Sequence, residues 1–256
     1  MSKISFNKPI TDTIQILKKV FDELEISAYL IGAQARDVWF LPKRSPRITQ
    51  DIDWVIAHSN EDLFKELKKT LIENEGFTQM RNPLKLLSPH KIEVDLIPFD
   101  YPETPHFVGL HEIFERGTEG VTFDDGTTHR VATLPSIVLL KLIAWADKPE
   151  YRSKDVDDIN YILEHFDIYV DDCFILFTEI EPEFISARTV GRKISHILGD
   201  SIALKNHIIK VLENQISQPD ESKFIQIILN KSEKTAEFIV TQVKEMLIGL
   251  QETPPQ

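Results

Sequence analysis

The stretch Ile48-Thr-Gln-Asp-Ile-Asp-Trp-Val-Ile56 decides how the rest of the chain is read. It is apolar and β-branched enough to predict a strand, yet it carries Asp51 and Asp53 two residues apart. Strand side chains alternate between faces, so both carboxylates project from one side and Ile52 from the other. Like charges side by side on a short strand repel, and burial worsens the conflict. A cation shared between them removes it.

Upstream, residues 27–31 predict a short strand that runs into Gly32-Ala33 and then a helix over 34–41. A strand, a glycine turn and a helix start aim backbone N–H groups at an anion, and glycine lets a phosphate approach closely. The same turn also serves packing alone in many α/β proteins. Downstream, residues 60–75 predict an amphipathic helix with Leu63, Phe64, Leu67 and Leu71 inward. Residues 85–88 and 91–99 predict a hairpin turning near Pro89-His90. Its second strand sets Glu93, Asp95 and Ile97 on one face and Ile92, Val94 and Leu96 on the other.

If this strand neighbours 51–56, then Asp51, Asp53 and Asp95 converge on one or two Mg²⁺ ions, which take oxygen ligands and fill their shells from water and phosphate. Such a site activates an attacking hydroxyl and stabilises a leaving pyrophosphate. The plainer alternative has Asp51 capping a turn, Asp53 paired with Arg47 and Asp95 paired with a core arginine. Three acids on two apolar strands beside a glycine turn weigh towards metal.

The chain has 256 residues with 42% hydrophobic content, enough for a full core in one large or two modest domains. Its formal net charge of −12 argues against a protein that coats nucleic acid, though a local basic cleft could still hold RNA. One cysteine, Cys173, excludes a disulfide framework and a cysteine zinc site. The eight histidines form no zinc-ligating spacing. The amino terminus has no apolar run of signal-peptide kind, and the longest apolar run, 137–146, is too short to span a bilayer. These points predict a cytoplasmic protein with no membrane partner.

A helix is expected over 11–24, and loops with short strands at 120–123 and 129–132 over 100–130. From Thr133 the pattern is helical, with segments near 137–146, 153–166, 170–178, 182–198, 201–216, 222–229 and 232–250. In 137–146 every residue but Lys141 is apolar, so a buried helix offers one cation, either to a phosphate or to solvent by snorkelling. In the next helix Asp155 and Asp158 border the apolar face and could pair with Lys141 or Arg152, or act on an acceptor, whereas Asp157 points to solvent. Arg36 and Asp37 read as a local ion pair, with a phosphate contact as the alternative for Arg36. Arg188, Arg192 and Ser195 share a helix side that reads as solvated, with an RNA backbone as the alternative. Trp39, Trp54 and Trp145 read as core, with a nucleobase contact as the alternative for Trp54, which follows Asp53.

The segments Leu30-Ile-Gly-Ala-Gln-Ala-Arg-Asp37, Arg47-Ile-Thr-Gln-Asp-Ile-Asp53 and Val94-Asp-Leu-Ile-Pro-Phe99 resemble the core of the DNA polymerase β nucleotidyltransferase superfamily. The branch they most resemble is the abortive-infection toxin-like group of AbiEii/AbiGii type. Leu139-Leu-Lys-Leu-Ile-Ala-Trp-Ala-Asp-Lys148 and Arg152-Ser-Lys-Asp-Val-Asp-Asp-Ile159 resemble that group's lysine and R-x-K-D-x-x-D motifs. The matched segments span about residues 29–163. The resemblance implies transfer of a nucleoside monophosphate from an NTP to a hydroxyl acceptor. It favours an RNA or tRNA end over a protein or small molecule, in a toxin–antitoxin or phage-defence setting with a possible antitoxin partner.

On that footing Asp51, Asp53 and Asp95 are expected to bind metal, with Lys141 and Asp158 as further catalytic groups. Gly32, Ala33, Arg36, Arg47, Thr49, Arg152 and Asp155 are expected to contact the nucleotide. One departure is Ala33, where superfamily members often carry serine or glycine, and it supports the alternative of a non-catalytic nucleotide-binding or antitoxin-like protein. The expected fold is α+β: a small mixed or antiparallel sheet with helices over 1–132, then an all-helical module over 133–250 completing the cleft. A disordered tail is expected over 251–256.

Overall fold

The computed structural model describes residues 6–40, 51–57, 60–99, 109–166 and 180–252. The chain divides into two compact units, the first comprising Met1–Phe114 with Thr118–Thr133, the second Glu115–Gly117 with Leu134–Gln256. The architecture is α+β, with one mixed seven-stranded sheet.

The first unit opens with helix α1 (Lys8–Glu23). The Asn7 side chain accepts a hydrogen bond from the Ile10 N–H, and Pro9 sits in the first turn, where no intrahelical N–H is needed. Ile10, Ile14, Leu17, Val20 and Phe21 form its buried stripe. Strand β1 (Ala28–Ile31) passes directly into α2 (Gly32–Phe40). Then come β2 (Asp51–Ile56), α3 (Glu61–Glu73, capped by the Asn60 side chain), β3 (Thr78–Gln79), β4 (Lys85–Leu87) and β5 (Glu93–Pro98). Helix α4 (Leu110–Arg116) precedes the hairpin of β6 (Thr118–Thr122) and β7 (Thr128–Ala132).

The strand order is β3-β4-β5-β2-β1-β7-β6. Strands β2 and β5 pair in parallel, as do β1 and β7, and the other neighbours are antiparallel. The acid-bearing strands are therefore direct neighbours in the sheet. Ile52 and Trp54, alternating with the two aspartates, are fully buried, and the Trp54 ring meets Phe21 of α1 edge-on at 5.4 Å. That burial places Trp54 in the core and leaves no face for a nucleobase.

The second unit is helical: α5 (Leu134–Asp147), α6 (Ser153–His165), a 3-10 turn (Pro182–Phe184), α7 (Ile185–Leu198), α8 (Ile202–Ser217), α9 (Lys223–Leu229) and α10 (Ala236–Gln251). Helices α7 and α10 touch backbone to backbone. A Cβ on Gly191 would lie 2.1 Å from the Met246 carbonyl oxygen, and one on Gly249 would lie 2.2 Å from that of Arg188. No helix among the described residues is long and apolar enough to cross a membrane.

Several expectations need correction. Helix α4 lies in a stretch read as loops and strands, because its seven residues are too few to show a period. Gln251 ends α10 and Glu252 is ion-paired with Arg188 and Arg192, so the tail expected from 251 is wrong for its first two residues. The Arg188 and Arg192 side of α7 is not a solvated face. Arg188 also bonds Glu245 at 2.7 Å, and Ser195 is buried and receives the Lys205 ammonium at 2.8 Å. The helix expected over 170–178 and Cys173 lie outside the described residues.

Candidate active site

The register of two parallel strands builds the site. Asp53 stands beside Asp95, and Asp51 beside Glu93, so four carboxylates occupy one face of the β2–β5 pair. Asp51 is exposed and Asp53 half-buried. The antiparallel neighbour β4 sets Lys85 opposite Asp95. Its ammonium lies 2.9 Å from Asp95 Oδ2 and 3.8 Å from a Glu93 carboxylate oxygen. Burial pushes the Asp95 carboxyl above the ordinary aspartate range, against the pull of Lys85 and of its contact with Asp53, and the Asp51 charge adds a smaller rise. For Lys85 burial works downward, but Asp95, Glu93 and Asp53 outweigh it and hold the ammonium above its ordinary value.

Gly32 sits at the end of β1, one residue past the Ile31–Asp53 register pair, with φ +71. An added Cβ there would lie 2.0 Å from Asp53 Oδ2. The glycine therefore makes room for the Asp53 carboxylate itself, besides supplying a left-handed turn into α2. Ala33 follows on the first turn of that helix.

Two observations bear on whether these residues suit a hard cation. Carboxylate oxygens are the donors that Mg²⁺ takes, and Asp95 Oδ1 is buried without a hydrogen-bond partner among the described residues. An orphaned carboxylate oxygen beside a second aspartate fits a cation. Against this, no three Asp, Glu, His or Cys side chains among the described residues form a finished ion cage. The charge next to Asp95 is balanced instead by Lys85, and the oxygen donors of Asp51, Asp53 and Asp95 are of the chemical kind a Mg²⁺ ion takes.

A second charged cluster lies within the helical unit. Lys141 of α5 reaches Asp155 Oδ1 and Asp158 Oδ2 of α6, both at 2.8 Å. Its side chain is only 12% exposed, so it does not snorkel to solvent. Burial works against its charge, but the two carboxylates more than compensate and raise it. Arg152, more exposed, stands 3.6 Å from Asp155 Oδ2. Asp157 is bonded to Lys231 at 2.6 Å on the far side, as an ordinary surface pair.

Of the remaining predicted positions, Arg36 is buried and its Nε donates to Asp37 Oδ1 at 2.8 Å, which is the local ion pair. Arg47 and Thr49 lie outside the described residues. The sequence alone does not single out Lys85 and Glu93 as site residues. The alternation rule already put Glu93 on the acid face, and the hairpin turn near Pro89-His90 sets Lys85 across from Asp95.

Against known proteins, the model of the family "Nucleotidyl transferase AbiEii toxin, Type IV TA system" matches residues 15–226. The chain belongs to this AbiEii nucleotidyltransferase toxin family, and it is a nucleotidyltransferase. No curated protein matches it in sequence. Among solved structures it is similar to an antigenic nucleotidyltransferase-like protein from Paracoccidioides brasiliensis, at 13% identity over 86% of this chain and 94% of that one, with TM-score 0.49. It is also similar to the antibiotic-resistance factor ANT(2'')-Ia, at 13% identity over 79% and 98%, TM-score 0.44. A CCA-adding enzyme in its apo form is similar at 14% identity over 90% and 55%, TM-score 0.37. The family statement rests on the sequence match alone.

Proposed function

We propose that this protein is a Mg²⁺-dependent toxin that moves a nucleoside monophosphate from an NTP to a hydroxyl at an RNA end, with tRNA favoured. The reading rests chiefly on the β2–β5 register, which sets Asp53 beside Asp95 with Asp95 Oδ1 buried and without a hydrogen-bond partner among the described residues. When bound, Mg²⁺ would supply charge neutralisation on the phosphates and acidify the attacking hydroxyl.

Asp51 and Asp53 would hold one or two ions, and Asp95 would hold the one nearer the acceptor. The acceptor oxygen forms a bond to the α-phosphorus while the bond to the β-phosphate bridge breaks, and pyrophosphate leaves. The hydroxyl proton passes to solvent as the bond forms. Within the helical unit, Asp155 and Asp158 fix the Lys141 ammonium, with Arg152 beside Asp155. The Gly32-Ala33 turn would present backbone N–H groups to the nucleotide. The protein would act in the cytoplasm, where NTPs and RNA ends are available, with an antitoxin partner to restrain it.

Incubation with labelled NTPs, Mg²⁺ and total RNA tests the reading. Label should enter RNA, and EDTA or Asp53→Ala should abolish transfer. Absence of transfer to RNA, to protein or to the enzyme itself would sink the enzymatic mechanism. Transfer that survives Asp53→Ala would sink the site assignment, and label in protein alone would sink the RNA acceptor.

A further inference from the structure

We infer that Lys85 is a resident counter-charge of the acid face, which keeps metal affinity low until a nucleotide arrives; the inference rests on the metal reading above. Asp51, Asp53, Glu93 and Asp95 stand on adjacent positions of two paired strands. One cation among the described residues of the neighbouring strand answers them: Lys85, bonded to Asp95 Oδ2 at 2.9 Å and within 3.8 Å of Glu93. The contact is held by strand pairing, because Lys85 and Asp95 are register partners across β4 and β5. Lys85 and Asp95 are both mostly shielded, with side chains 29% and 21% exposed, so their interaction is less screened than a surface pair.

The geometry divides the Asp95 carboxylate. Oδ2 is taken by the lysine, while Oδ1, buried and without a hydrogen-bond partner among the described residues, is left for the ion. A divalent cation settling on Oδ1 therefore meets a fixed positive charge one carboxylate away. Repulsion of that kind weakens binding of a bare ion. An ion arriving with a triphosphate brings its own compensating negative charge and is opposed less. Lys85 thus acts through Asp95 as a positioning residue, tying tight ion retention to the presence of nucleotide.

The test is Mn²⁺ binding to the full chain without nucleotide, followed by electron paramagnetic resonance of the free ion. Lys85→Met should bind Mn²⁺ roughly tenfold more tightly than wild type. Lys85→Arg, which keeps the charge, should bind as wild type does. Lys85→Gln, which keeps a donor for Oδ2 but no charge, should follow Lys85→Met and replaces it if the methionine variant does not fold. Adding a non-hydrolysable NTP should raise wild-type affinity more than that of the neutral variants. Equal or weaker Mn²⁺ binding by the neutral variants, with wild type still binding in the presence of nucleotide, would overturn the counter-charge role alone. Wild type failing to bind Mn²⁺ even with nucleotide would overturn the metal reading and this inference together.

Discussion

Replacing one hydrogen of Gly32 by a methyl group puts carbon 2.0 Å from Asp53 Oδ2 in a backbone already at φ +71. Gly32→Ala should therefore cost about 1–3 kcal/mol of stability and lower transfer nearly as far as Asp53→Ala, since the carboxylate must swing away. Urea unfolding beside the transfer assay checks both. Lys141 calls for the same pairing of assays. Removing it leaves Asp155 and Asp158, at 15% and 9% side-chain exposure, without their shared cation. Lys141→Met should destabilise by roughly 3 kcal/mol, and neutralising both acids in the same chain should restore part of that. A melt with no loss would mean the cluster is not structural. At this scale the acids were legible in the sequence, because a period of two assigns Asp51, Asp53 and Asp95 to strand faces without any tertiary knowledge. Lys85 was not, since its place depends on the register of a hairpin. Arg36 offered two readings, and in the structure it is buried with its Nε donating to Asp37.

Elements add interactions that no single strand or helix reveals. The α7 arginines find Glu245 on α10 and Glu252 just past its end, some sixty residues later, so a helix side that reads as solvated becomes an interface. The glycines at that crossing carried no local signal either. Gly191→Val should push α7 from α10 and destabilise by about 2 kcal/mol or more, read by urea midpoint. The β6–β7 hairpin holds a different liability. His129 is buried beside Phe123, its Nε2 lies 2.7 Å from Thr127 Oγ1, and burial lowers its pKa to about 4, against a weaker upward pull from Asp125. A depressed histidine stabilises the fold fully above its unfolded value of 6.5, and that contribution falls as pH drops towards 4. Up to about 3 kcal/mol should be lost across that window, and the loss should be smaller in His129→Gln. An identical pH dependence in the two proteins would exclude the histidine as its source.

Across the whole molecule, 41 acidic residues against 29 basic ones set a charge of −12. A random-sequence RNA duplex should accordingly show no saturable binding below about 10 µM at 0.15 M salt, by fluorescence anisotropy. The broad sequence reading of strands followed by helices matches the mixed sheet and the helical elements after it. What it could not supply was the discontinuity by which Glu115–Gly117 joins the second unit while Thr118–Thr133 returns to the first. The order of the strands carries a consequence for synthesis. Strand β1 gains β2 as a neighbour soon after it emerges, but Tyr29 waits for Arg130, roughly a hundred positions later, before its other edge is covered. On the ribosome that edge stays bare while the acid-bearing strands are already made, so a nascent chain stalled before residue 128 would be an aggregation hazard before it could act as a toxin.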